Sequence, residues 1–416
     1  MYLKIRNAEM FRKIVCALAV MLVPAAFVQA QAPGVENPSG RGAMAPGLTA
    51  LPGGSAAILT WIEKDGEEHV FKLSRFEGGS FAEPRNIARG DDWFANWADT
   101  PAVHARADGV LIAHWLEKSA ESTYAYDIRV TSSSDGGRSW SEARTPHGDG
   151  TPTEHGFVSY FPTDGQRTGM VWLDGRETGS GGNGHDHAGL MTLRTAMIGA
   201  DGTLEPDQLV DDSVCDCCQT ASGTTALGPI IAYRNRTRDE IRDIAVVRRT
   251  GSGWTEPRLV HADGWKISGC PVNGPALLAS GMRVVVAWFT MADDEPKVRF
   301  AISNNAGASF GPPITRSPGT ALGRVQLAWL DDGFALSWMD EDDGARLRVA
   351  RYARDGELLG DLTLAQMDRG RISGFPRIVT IDDRLLVAWT AGGTSKGPER
   401  GTRVMTALVD LERIEN

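Results

Sequence analysis

Three of the chain's five cysteines fall within four positions, in VCDCCQT (residues 214–220), and a further one, Cys270, lies in GCPVNGP (269–275). Thiols at this density suit two kinds of chemistry. They can form disulfides, the usual fate in an exported protein. They can also converge as thiolates on a soft metal ion, copper or zinc, with histidines nearby to complete the ligand set; a strained, redox-active disulfide is a variant of that idea. Complete pairing is awkward, because a bridge between the adjacent Cys217 and Cys218 closes a strained ring. In an extended strand, Cys215 and Cys217 point one way and Cys218 the other. One bridge from the triplet to Cys270 is easy, whereas a second must accept poor geometry. Three readings stay open: a structural bridge, a thiolate site on Cys215, Cys217, Cys218 and Cys270, and inert reduced thiols. The glycine-rich stretch GSGGNGHDHAG (179–189) offers His185 and His187, either as further metal ligands or as members of a solvated loop.

What could gather these residues is a repeat. An apolar run ending in an aromatic residue recurs as AAILTWIE (56–63), VLIAHWLE (110–117), GMVWLD (169–174), PIIAYR (229–234), VVVAWF (284–289), FALSWMD (334–340) and LLVAWT (385–390). Short runs rich in Val, Ile and Trp read as strands buried on both faces. Around each copy the order is the same: a strand, a tight turn, the aromatic strand, a third strand, another tight turn and a short fourth strand. Four antiparallel strands repeated about every fifty residues predict an all-β propeller. The count is seven four-stranded blades, or six if one terminal unit is not a true blade. The last unit lacks a strand, which the segment after Ala30 can supply to close the ring.

In such a blade, successive turns alternate between the two faces of the disc. PGGS, RADG, LDDG, EGGS, DGGR and RDGE share one face and are structural turns. The opposite face receives the long, irregular connections, where functional residues tend to be carried over a rigid scaffold. It collects all four cysteines of the segment after Ala30, with Trp93, Trp97 and His155. The carboxylates Asp99, Glu154, Asp174 and Glu240 fall there too, as do Arg176, Arg234, Arg236 and Arg377. Trp93 and Trp97 either pack as caps on the channel or stack on a sugar face. The mixed charge of RNRTRDEIRD (234–243) is either a solvated turn or part of a ligand site.

Within the second unit, SSDGGRSW (133–140) fits the pattern Ser-x-Asp-x-Gly-x-x-Trp, and SNNAGASF (303–310) is a degraded copy. On these motifs and the repeat, the chain resembles the sialidase-like superfamily of Asp-box (BNR-repeat) propellers along nearly all of its length after Ala30. The resemblance implies a glycoside hydrolase acting on glycans. Arg176, Arg234, Arg236 and Arg377 would hold a substrate carboxylate, Glu154 or Glu240 would partner a tyrosine nucleophile, and Asp99 would serve as acid/base. The family's first arginine motif is missing, and the only tyrosine beyond Tyr233 is Tyr352, expected to pack. A hydrolase using carboxylates alone would take Asp174 with Glu154. Asp-box propellers that cleave nothing and only present a surface to a protein partner form a further reading.

The N-terminal MFRKIVCALAVMLVPAAFVQA predicts a secretory signal over residues 1–30, cleaved near Ala30, leaving residues 31–416 as one propeller domain in the periplasm or medium. The formal charge is −10 for the whole chain and, once the basic leader is removed, near −13. That balance, with no basic block, argues against nucleic acid or an anionic membrane surface as partner. No later stretch is apolar enough to span a bilayer. The expected state is a monomer, with a metal ion, small molecule or glycan at the channel mouth.

Overall fold

A computed structural model describes residues 34–163, 166–179, 189–392 and 401–414. His185 and His187 lie outside the described residues. The described residues form seven antiparallel sheets arranged as a seven-bladed β-propeller. Blade 1 is built on the strands Met44–Ala50, Ala56–Asp65 and Glu68–Glu77, and blade 2 on Ala102–Ala105, Leu111–Lys118 and Tyr126–Ser133. Blade 3 spans His155–Pro162 to Gln208–Val214, blade 4 begins at Ala221–Thr225, and blade 5 at Ala276–Ser280. Blade 6 runs from Ala321–Trp329 to Leu358–Met367, and blade 7 comprises Arg377–Ile381, Arg384–Ala391 and Arg403–Asp410.

The recurring aromatic strand is the second strand of every blade. Its aromatic side chain is buried each time, from Trp61 at 0 % exposure to Trp389 at 8 %, so the blades pack on these rings. Burying an indole or phenol requires a partner for its polar atom. Trp61 donates to Glu63 (2.6 Å), Trp172 to Asp174 (2.8 Å), Tyr233 to Asp211 (2.5 Å), Trp288 to Asp263 (2.7 Å) and Trp338 to the Ser317 hydroxyl (2.7 Å). The repeat thus fills the space between blades and, in these five, also pins a polar group, whereas Trp115 Nε1 is buried without a hydrogen-bond partner.

The chain's first described residues close the ring. Gly34 bridges Ala407 antiparallel, the Val35 N–H donates to the Thr406 carbonyl (2.9 Å), and the Asn37 amide donates to the Val404 carbonyl (3.0 Å). They lie along the third strand of blade 7, where a fourth strand belongs.

The SSDGGRSW turn is held as its residue types require. Asp135 accepts from the backbone of Arg138 (2.9 Å) and Ser139 (3.0 Å), and from the Ser133 hydroxyl (2.8 Å). Gly137, at φ 80°, turns its N–H onto Ser133 Oγ (2.9 Å). The SNNAGASF turn repeats the arrangement, with the Asn305 carbonyl oxygen accepting from the Ser309 N–H (2.9 Å).

Candidate functional site at the channel mouth

The cysteine triplet begins no strand. Blade 3 ends at Val214, the innermost strand of blade 4 starts at Ala221, and residues 215–220 form the connection. The expected strand alternation, with Cys218 turned away from Cys215, therefore does not apply. A turn through Asp216 and Cys217 folds the backbone so that positions i and i+3 meet. Cys215 Sγ and Cys218 Sγ are 3.5 Å apart, and the three sulfurs of Cys215, Cys217 and Cys218 lie within 4.8 Å of one another. All four described cysteines are free thiols, so the bridge to Cys270 is not formed. Cys215 and Cys218 are buried; Cys217 and Cys270 are partly exposed and line one cavity.

Cations stand behind the sulfurs. Arg242 donates through Nη1 to Cys215 Sγ (3.3 Å) and through Nη2 to Glu240 (2.7 Å). Glu240 also pairs with Arg236 (2.7 Å), which reaches back to Asp216 (3.1 Å). Burial alone pushes the Cys215 thiol up. The hydrogen bonds from Cys217 and Cys218 and the charges of Arg242 and Arg234 outweigh it and hold Cys215 well below the ordinary thiol range. Burial and the neighbouring sulfurs, Cys270 among them, push Cys217 well above that range. The neighbouring thiols and the Arg242 guanidinium thus favour negative charge on Cys215 over the other sulfurs.

The other side of the mouth is acidic and aromatic. The Tyr126 hydroxyl lies 2.8 Å from Glu154 Oε1 and 3.0 Å from Asp99 Oδ2. Asp99 Oδ1 accepts the N–H of Phe157 (2.8 Å), a residue at φ 55° at the start of blade 3's innermost strand, so Asp99 also latches blade 2 to blade 3. Burial lifts Glu154 well above the carboxylate range against the opposing Tyr126 hydrogen bond, and the charges of Asp99, Cys270 and Asp216 add to the rise. Burial raises Asp99 to about 7, although the Phe157 N–H and Tyr126 hydroxyl oppose it. Burial and the surrounding negative charge thus favour the protonated form of Glu154 beside the thiol cluster.

Phe94 stacks on Tyr126 at 4.1 Å, and Trp97 stacks on Phe375 at 5.8 Å, with the Arg371 and Arg324 guanidiniums over the Trp97 ring. Phe94, Tyr126, Trp97 and Arg371 line, with Glu154, Cys217 and Cys270, a cavity of about 170 Å³. Beneath lies the axial channel, a polar cavity of about 350 Å³ that shares Ala98, Asp99 and Phe157 with the mouth and is lined by Gln219, Gln326 and Arg377. Arg377 donates to Thr100 Oγ1 (3.1 Å), and burial lowers it to about 10.

The mouth thus gathers Trp97, Asp99, Glu154, Cys217 and Cys270 from the expected residues, with Arg377 just below. Others are placed elsewhere. Trp93 stacks on Trp115 (5.7 Å) in the core between blades 1 and 2, because its indole is more cheaply buried than displayed. Asp174 is fully buried, bound by Trp172 and by Arg176 (2.7 Å), so it does not pair with Glu154. Arg176 is consumed by that contact, and His155, fully buried, turns into the blade. Arg234 is a scaffold bolt, donating to the carbonyls of Asn273 (2.7 Å), Phe289 (2.8 Å) and Arg242 (2.6 Å). Glu240 and Arg236 are members of the ion-pair shell behind Asp216 and Cys215. Tyr352 packs against Phe334 and Phe300, as expected.

Sequence reasoning missed Tyr126, Arg242 and Arg371. Tyr126 opens the third strand of blade 2, and only the meeting of that strand end with Glu154, a parallel bridge, exposes its role. The density of arginines after Arg234 was the available signal for Arg242.

No known family profile matches the chain, and no curated protein aligns with it significantly. Solved structures do superpose. The polysaccharide lyase Uly1 matches with a TM-score of 0.54 at 11 % identity, over 93 % of this chain and 94 % of that one. An ulvan lyase of polysaccharide lyase family PL25 gives 0.50 at 11 % identity, over 77 % and 80 %. The Hadza microbial sialidase Hz136 gives 0.50 at 14 % identity, over 83 % and 74 %. At these identities what is shared is the propeller fold.

Proposed function

We propose that this propeller is an exported thiolate metal-binding protein that holds one soft ion, copper(I) or zinc, at the mouth of its channel. The observation that carries the reading is the convergence of Cys215, Cys217 and Cys218 to within 4.8 Å, beside Arg242. Metal–sulfur bonds of about 2.3 Å place ligand sulfurs about 3.8–4.0 Å apart, so the cluster needs little rearrangement to serve. Sulfur donors favour these ions over hard ones. Arg242 would offset the negative charge of a multi-thiolate centre from outside the ligand set, and Cys270, across the cavity mouth, is a further sulfur within the same pocket. Purification under anaerobic conditions followed by metal analysis tests this. One thiol-dependent equivalent of copper or zinc per chain is expected, absent from Cys215→Ser and Cys217→Ser variants that still unfold cooperatively.

A second reading, glycan cleavage, is favoured by the Tyr126–Glu154–Asp99 contact beneath aromatic walls. The polysaccharide and sialic-acid chemistry in the names of the fold neighbours lends it support. Its test is a panel of chromogenic glycosides and acidic polysaccharides. Turnover lost in both Tyr126→Phe and Glu154→Gln but kept in the cysteine variants would favour this reading over the first.

A further inference from the structure

Behind the mouth lies a second cluster, on the opposite side of the same two backbone segments. Tyr126 and Glu154 face the cavity; the next residue of each, Asp127 and His155, faces into the packing of blades 2 and 3. There the His147 and His155 rings stack at 3.7 Å, only 6° from parallel. His155 Nδ1 approaches the Tyr126 carbonyl (3.3 Å) and Asp127 (3.5 Å). If Nδ1 carries the proton toward that carbonyl, Nε2 is left as a lone-pair donor.

Nε2 is held only by long contacts to two carboxylates. His155 is 0 % exposed, yet its Nε2 makes no hydrogen bond. It points between Asp149 Oδ2 (3.4 Å) and Asp174 Oδ1 (3.7 Å), both beyond ordinary hydrogen-bond length. One ligand atom from each of Asp149, His155 and Asp174 lies within 4.8 Å of the others. Carboxylates outnumber guanidiniums around it. Asp149, Asp174 and Asp207 share Arg176, Asp207 also takes Arg194, and Asp127 adds a fourth carboxylate.

We propose that Asp149, His155 and Asp174 form a second, buried site for a divalent ion of the zinc class, distinct in chemistry from the thiolate cluster. One imidazole nitrogen and two carboxylates suit zinc, and a ligating histidine characteristically gives its other ring N–H to a carbonyl or carboxylate, the geometry seen at Nδ1. His147, 3.1 Å from Asp149 Oδ1, orients that carboxylate. The ion ties the connection before blade 3 to its second strand and so fixes the backbone that presents Tyr126 and Glu154 to the mouth. This proposal does not depend on the thiolate reading.

The test uses the full chain with Cys215, Cys217, Cys218 and Cys270 all changed to Ser, stripped of metal and titrated with Zn²⁺. The expected result is one equivalent bound, a raised melting temperature on saturation, and binding lost in added His155→Gln or Asp149→Asn substitutions. Cobalt(II) in place of zinc should give ligand-field bands without thiolate charge transfer. Absence of stoichiometric zinc in the thiol-free chain, or binding unaltered by both added substitutions, would overturn the site. If the added variants fail to fold, the titration and cobalt spectrum of the thiol-free chain decide alone.

Discussion

A thiolate survives burial only where something compensates its charge, and at Cys215 that work is divided between neighbouring thiols and Arg242. Arg242→Met should therefore raise the pKa of the most acidic thiol, slowing alkylation by iodoacetamide near neutral pH; unchanged pH dependence of labelling would remove the arginine from the account. Asp99 makes a second prediction. Burial raises it from 3.8 to about 7, so the folded state holds its proton more tightly than the unfolded chain does. Stability from this group is full at low pH, declines as pH rises from about 4 to about 7, and is level above that. Asp99→Asn keeps an acceptor for Phe157 and a polar partner for Tyr126 but removes the titration. Urea unfolding across that range should show a flatter profile in the variant, and equal slopes would contradict the assignment. At this scale the sequence was only partly legible. Cys217, Cys270, Asp99, Glu154 and Trp97 were recognisable from their loops. Tyr126 was not, because which side of a strand end faces a cavity depends on register against a different blade. Trp93 and His155 were misplaced for the same reason.

At the scale of elements, the repeated aromatic strand links sequence to fold most directly. Trp338 fills the space between blades and ties the end of its own blade to Ser317. Trp338→Phe keeps most of the ring volume and removes the hydrogen bond, leaving Ser317 short of a donor. It should cost about 1–2 kcal/mol, measurable by denaturant unfolding; a loss below about 0.3 kcal/mol would show the indole N–H to be dispensable. The blade order was legible because these rings recur at nearly constant spacing, each on a run that only a doubly buried strand explains. The cysteine segment was not. Val-Cys-Asp-Cys-Cys carries no glycine or proline to mark a turn, and its apolar alternation imitates a strand. The reversal at Asp216 is enforced from outside, by Arg236 and by Arg242 holding neighbouring groups.

For the whole molecule, ring closure brings residues distant in the chain around one opening. Closure rests on the segment from Gly34, and Asn37 is its main side-chain clasp, donating to Val404 and to Thr406 Oγ1 (3.1 Å). Asn37→Ala should lower stability by about 1–2 kcal/mol without altering the mouth, and thermal unfolding followed by circular dichroism would register it. An unchanged melting temperature would mean that the seventh blade closes without this clasp. The thiolate metal centre proposed for the mouth has a direct spectroscopic signature. X-ray absorption at the copper edge of the anaerobically purified, copper(I)-loaded chain reads it. One copper per chain, with a first shell dominated by sulfur at about 2.3 Å, is expected. A chain that takes up no stoichiometric soft metal while all four thiols titrate freely, or a shell of nitrogen and oxygen alone, would contradict it.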